Sequence, residues 1–164
     1  MSGTLDFGGQ LLAFGEQRGR DCAIADPRDR TRPAAAVLRF CEGAVSTSGN
    51  SERSQSLEGP EPGRVGHLLD PRTGRSAPDF GSVTVCASNA MDADCLSTAL
   101  FVLGPDAALQ RGAELGVGVV VVEVLESDDE SAPPTLRVRA TPDLDDRLLP
   151  FAPAKRGHQE FTKR

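Results

Sequence analysis

Short apolar runs separated by turn residues fill the first half of the chain. Leu11 to Phe14, Cys22 to Ala25, Val37 to Phe40, Ala44 to Thr47 and Val65 to Leu69 are too short for helices and read as strands. Gly8-Gly9 and Gly15 bracket the first run, where the missing Cβ permits tight turns. Asp26 to Pro33 is a charged, proline-bearing connection, and Gly49 to Gly63 is a polar loop without apolar periodicity. From Ser82 to Ala87 the alternation is strict, with Val83, Val85 and Ala87 on one face and Ser82, Thr84 and Cys86 on the other. That pattern predicts a half-buried strand.

Ser88 and Asn89 can cap a helix over Ala90 to Leu103, and Gly104-Pro105 ends it, because glycine suits the closing turn and proline cannot continue the hydrogen-bond ladder. A shorter helix over Asp106 to Glu114 closes at Gly116. Val117 to Leu125 is then an almost unbroken apolar run suited to a central strand. Asp128, Asp129, Glu130 and the Pro133-Pro134 pair break the chain before Leu136 to Ala140 alternates again, so these two strands form a hairpin with a solvated tip. The sum is an α+β fold, a helix pair on one face of a mostly antiparallel sheet. With 164 residues the expectation is one domain over 1–150 and a flexible tail over 151–164.

Composition narrows the function. A net charge of −6 with no basic cluster before the tail argues against a nucleic-acid surface, which needs Lys and Arg in excess on one face. Trp and Tyr are absent, so only Phe and Arg can stack on a nucleotide ring. Cys22, Cys41, Cys86 and Cys95 show no C-x-x-C pair and no His at metal-ligand spacing, which argues against a zinc site; four buried thiols are the expectation, and spacing alone leaves a disulfide open as the alternative. No run of 18 apolar residues and no export signal occurs, so a cytoplasmic protein without a transmembrane segment is expected.

Three segments carry candidate chemistry. Wound at 100° per residue, the helix over Ala90 to Leu103 is apolar around almost its whole circumference, which predicts burial on most sides. Its polar residues Asp94, Ser97 and Thr98 share one arc. A carboxylate and two hydroxyls at i, i+3 and i+4 make a compact set of hard oxygens suited to Mg²⁺, which keeps several waters and commonly takes one or two protein oxygens. The alternative is that Asp94 pairs with an Arg while Ser97 and Thr98 bond back to helix carbonyls. The second segment runs from Gly66 to Gly74, where His67 sits near a strand end; it is either a phosphate donor or proton acceptor, or a structural histidine. The third is Ser46-Thr47-Ser48-Gly49-Asn50, whose hydroxyls and amides can cradle a phosphate or simply end a strand.

Together these segments resemble the ApbE family in order and kind: STSGN at Ser46 to Asn50, HLLDPRTGR at His67 to Arg75, and SVTVCASNAMDADCLSTALFVLG at Ser82 to Gly104. GGQLLAFG, Gly8 to Gly15, also looks like the glycine-paired strand near the middle of that family's chain. The resemblance implies a reaction that splits the pyrophosphate of FAD with Mg²⁺ and joins FMN to a Thr or Ser hydroxyl of an acceptor protein, releasing AMP. Carried over position by position, it implies Asp94 and Thr98 as metal ligands, with Ser97 at a position that admits Asp in related sequences. It makes His67 the group acting at the phosphates, Leu69 a nucleotide contact, and Ser48 and Gly49 part of the nucleotide cradle.

The resemblance covers the C-terminal half of that family. Full members carry an N-terminal half that supplies much of the FAD pocket and another metal-binding group, so the fold is expected to be incomplete relative to theirs. A clipped reading frame, a half that pairs with a separately encoded N-terminal partner, and a non-catalytic remnant that binds flavin nucleotide or a partner chain are the three expectations that follow.

Overall fold

The computed structural model describes residues 2–15, 19–50, 55–57, 63–127, 129, 132–150 and 159–161. The strands are β1 (Gly3–Asp6), β2 (Gln10–Phe14), β3 (Arg20–Ile24), β4 (Ala36–Phe40) and β5 (Gly43–Gly49). Four short ones follow, β6 (Gln55–Leu57), β7 (Gly63–Val65), β8 (Leu69–Asp70) and β9 (Arg75–Ser76), then β10 (Gly81–Ala87). Helices α1 (Ala90–Leu103) and α2 (Pro105–Leu115) lead into β11 (Gly118–Leu125), β12 (Thr135–Ala140), β13 (Leu148–Pro150) and β14 (Gln159–Phe161).

Among the described residues the main sheet runs β1-β2-β5-β10-β11-β12-β14, antiparallel except for the parallel β12–β14 pair. A second sheet, β13-β4-β3, lies on one side of it. Two cores result. Ile24, Leu38 and Phe40 of the small sheet pack with Val45, Val120 and Val122 of the large one, while Val83, Val85, Val119 and Val121 meet Ala93, Leu100 and Phe101 of α1 on the opposite face. Val119 to Val122 are therefore all fully buried, because a central strand covered on both faces needs a continuous apolar run. The α+β reading, with the helix pair on one face of a mostly antiparallel sheet, holds.

Local chemistry sets the element ends. Asn89 Oδ1 accepts the Asp92 N–H at 2.9 Å, capping α1. Gly104 closes α1 at φ 88°, a region that favours glycine, and Pro105 stands in the first turn of α2, where its missing N–H costs nothing.

Several sequence expectations are corrected. Val65 to Leu69 is not one strand: β7 ends at Val65 and β8 starts at Leu69, with Gly66 to Leu68 between them outside any strand. The loop over Gly49 to Gly63 contains β6, which pairs with β7. Ser82 and Thr84 are 5% and 1% exposed rather than solvent-facing, because the second sheet covers that side of β10. Cys41 and Cys95 are exposed, Cys22 and Cys86 half-buried, and all four are free thiols. Helix α1 is not buried on most sides: Met91 is 72% and Leu103 42% exposed, and Cys95 and Ala99 are exposed between them. The helix packs on the sheet by one face, and its outer apolar stripe borders an open groove shared with Leu69 and Pro71. Most of 151–164 lies outside the described residues; within it, 159–161 form β14 beside β12.

Candidate functional site

The site is built where β5 outruns its neighbour. β2 pairs with β5 as far as Ser46, whereas β10 pairs with it as far as Gly49, so Thr47 to Gly49 are held on the β10 side alone. A polar cleft of about 250 Å³ lies at this end of the strand. Thr47, Ser48, Gly49 and Ser82 line it from the sheet, Ala25, Asp26, Pro27 and Arg30 from the loop after β3, His67 and Leu68 from the loop before β8, and Asp94 and Thr98 from α1.

Alternation along β5 sends Ser46 and Ser48 toward α1. Ser46 Oγ donates to Asp94 Oδ1 at 3.3 Å. Ser48 Oγ lies 2.8 Å from Ser97 Oγ and 3.0 Å from Thr98 Oγ1. Ser97 is fully buried and also donates to the Asp94 carbonyl at 2.9 Å, so its hydroxyl faces the strand rather than the cleft. Asp94 is exposed and Thr98 half-buried, both at the cleft wall. Among the described residues no Arg pairs with Asp94, which leaves its carboxylate open to a ligand. Of the structural alternative one part is seen, the Ser97 bond back to a helix carbonyl, whereas the Thr98 hydroxyl contacts Ser48.

His67 is exposed in a loop held from below. Asn50, 1% exposed, accepts the Leu68 N–H at 3.4 Å and donates to the Ala77 carbonyl at 3.4 Å. The Ala77 N–H reaches the Leu68 carbonyl at 2.8 Å, and Ser76 Oγ donates to the Gly66 carbonyl at 2.8 Å. Gly66 is required here, since a Cβ would lie 2.1 Å from Asn50 Cγ. Asn50 is thus a positioning residue that the sequence presented only as the last letter of STSGN.

Leu69 points elsewhere. It is 59% exposed and lines an adjoining apolar groove of about 700 Å³ with Pro71, Cys95, Ala99, Val102 and Leu103. Asp94 and Thr98 line both cavities and so stand on the ridge between them. The turn after Leu69 closes as its sequence indicates, with the Thr73 and Gly74 amides on the Asp70 carbonyl and Gly74 at φ 67°. The Arg72 side chain, with help from its backbone N–H, holds the Asp70 carboxyl below the usual carboxylate range. On the other wall Asp26 is 3% exposed and paired with Arg28 at 2.6 Å, fixing the loop that carries Arg30. Sequence patterning marked this loop only as a charged connection; the Asp-Pro-Arg order was the available signal.

The donor set suits a small hard cation that keeps most of its waters. One carboxylate and one hydroxyl a helical turn apart face the cleft. No group of three His, Cys, Asp or Glu side chains among the described residues makes a self-sufficient metal cage. Such a site needs oxygens from the ligand itself.

The family model of ApbE matches residues 1–121, and the chain belongs to the ApbE family. A Klebsiella pneumoniae (strain 342) protein named FAD:protein FMN transferase is 35% identical over 119 residues, covering 70% of this chain and 33% of its own. A Rhodobacter capsulatus protein of the same name is 34% identical over 138 residues, 83% of this chain and 25% of its own. The crystal structure of the ApbE protein from Thermotoga maritima superposes with a TM-score of 0.71 at 28% identity, covering 89% of this chain and 44% of that one. The apo flavinyl transferase ApbE of Pseudomonas stutzeri gives a TM-score of 0.64 at 27% identity, covering 89% and 43%. The chain spans about a third of the Klebsiella relative and under half of these solved chains. No described helix is long and apolar enough to cross a membrane.

Proposed function

We propose that this chain forms the phosphate-handling half of an FAD:protein FMN transferase, acting with Mg²⁺ on a Thr or Ser hydroxyl of an acceptor protein. The observation that carries this reading is that His67, Asp94 and Thr98 line one cleft with Ser48 and Gly49, although twenty-seven positions separate His67 from Asp94. Asp94 and Thr98 would hold the ion, with Ser46 bonded to the Asp94 carboxylate and Ser48 bonded to Thr98 and to buried Ser97. When bound, Mg²⁺ neutralises charge on the diphosphate oxygens. His67 takes the proton of the acceptor hydroxyl as its oxygen attacks the FMN-side phosphorus; the bond to the AMP-side bridging oxygen breaks, and AMP leaves. Ser48 and Gly49 line the phosphate end of the nucleotide, and the groove beside Leu69 takes an apolar ring.

The test is incubation of the chain with FAD, Mg²⁺ and an acceptor protein, alone and with the N-terminal half of a full-length relative. Fluorescent flavin bound to the acceptor, lost in Asp94→Ala, is the expected result. Acceptor without flavin in both mixtures defeats transferase competence.

The exposed apolar stripe of α1 favours a second reading: a module that binds flavin nucleotide, or a separately encoded N-terminal half, without turnover. FAD titration separates the two. Affinity that depends on Mg²⁺ and on Asp94 supports the transferase geometry, whereas metal-independent binding supports the module.

A further inference from the structure

One side chain in the cleft has no role in the scheme above and no hydrogen-bond partner among the described residues. Ser82 is 5% exposed, lines the cleft, and its Oγ is buried without a hydrogen-bond partner. The next residue on the same face of β10, Thr84, is buried as well, yet its hydroxyl pairs with Thr47 Oγ1 at 2.8 Å. A buried hydroxyl left alone carries a desolvation penalty that an alanine would avoid, so retaining one at a cavity wall calls for a partner that arrives from outside the fold.

The strand opposite keeps the approach clear. Ser82 faces Gly49 across the β10–β5 pair, and a Cβ on Gly49 would stand 3.3 Å from Ser82 Cβ and 2.8 Å from the Gly81 carbonyl. Any side chain at position 49 would therefore fall over the serine. Glycine here puts no side chain between the serine and the cleft that it lines.

We infer that Ser82 is a ligand-contacting residue whose hydroxyl donates to a diphosphate oxygen of the bound nucleotide, from the wall opposite Asp94 and Thr98. A hydroxyl has a donor to give, and an anionic oxygen is the acceptor with which that bond is strongest. His67 and Arg30 are also in the lining, beside the carboxylates of Asp94 and of ion-paired Asp26. The apolar part of a nucleotide has the groove next door. This inference rests on the FAD reading of the cleft and adds a contact to it.

The test compares the 164-residue chain with Ser82→Ala by calorimetric titration of FAD in the presence of Mg²⁺, together with thermal melts of both. FAD binds Ser82→Ala roughly tenfold or more weakly, the scale of a hydrogen bond to a charged group, while its melting temperature equals or exceeds that of the parent because no protein contact is lost. Thr84→Val serves as the control on the same strand and face: it melts lower and binds FAD as the parent does. Unchanged affinity in Ser82→Ala, or a melting temperature several degrees lower, overturns the inference and leaves the FAD reading standing. A parent chain that binds no FAD overturns that reading, and the role of Ser82 falls with it.

Discussion

Ser48 is the hinge between the strand that outruns its neighbour and the helix that carries the candidate ligands, and Ser48→Ala tests whether that link orders the site. The substitution removes two hydroxyl contacts, to Ser97 at 2.8 Å and to Thr98 at 3.0 Å. Ser97 is fully buried but keeps the Asp94 carbonyl as a partner, and half-buried Thr98 can turn to water. Neither is left fully orphaned, so the cost is the net worth of two neutral bonds, about 1–2 kcal/mol in total. For a chain of this size that is roughly 2–8 °C in melting temperature. Differential scanning calorimetry reads the shift, and a double-mutant cycle with Thr98→Val isolates the pair, with an expected coupling of at least ~0.5 kcal/mol. Under the proposed function, Ser48→Ala also weakens the Mg²⁺ dependence of FAD binding, because Thr98 loses the contact that orients it. A melting shift below about 1 °C with additive effects in the cycle would refute the claim that Ser48 positions α1.

Two further tests address the frame around the site. The Arg72 guanidinium lowers the Asp70 carboxyl pKa, so this pair supports the β8–β9 turn above the ordinary carboxylate range and loses that support as pH falls through the depressed folded value. In Arg72→Ala the Asp70 titration, followed by NMR, moves up toward the ordinary value, and an unmoved titration would remove Arg72 as the cause. Gly81 has φ 135°, and a Cβ there would stand 2.1 Å from the Val122 carbonyl oxygen on a fully buried strand. Gly81→Ala should therefore cost ~2–4 kcal/mol through backbone strain and steric overlap, read as a lower urea midpoint; a midpoint within error of the parent would show that the β10–β11 pair opens there without penalty.

Periodicity along the chain determined most elements of the main sheet. Strict alternation over Ser82 to Ala87, the apolar run ending at Leu125 and the Asn89 and Gly104-Pro105 punctuation are local signals, legible as β10, β11, α1 and α2 before their partners are known, although pairing and packing are what stabilise them. The i, i+3, i+4 spacing likewise brought Asp94, Ser97 and Thr98 to one arc of a helix before any fold was known. What periodicity lacks is distance information. It did not distinguish which member of that arc faces the cleft, and only contact with Ser48 turns Ser97 inward while Asp94 stays exposed.

Nor did it find β1, β13 or β14, whose three or four residues are strands only because a partner edge accepts their hydrogen bonds. The burial of Ser82 belongs to the same class: alternation alone places it on a wet face, and the β13-β4-β3 sheet, assembled from segments far apart in sequence, takes that water away. Tertiary structure thus decided which polar groups are desolvated. Desolvation depends on every surface packed nearby, and no single stretch of chain carries it.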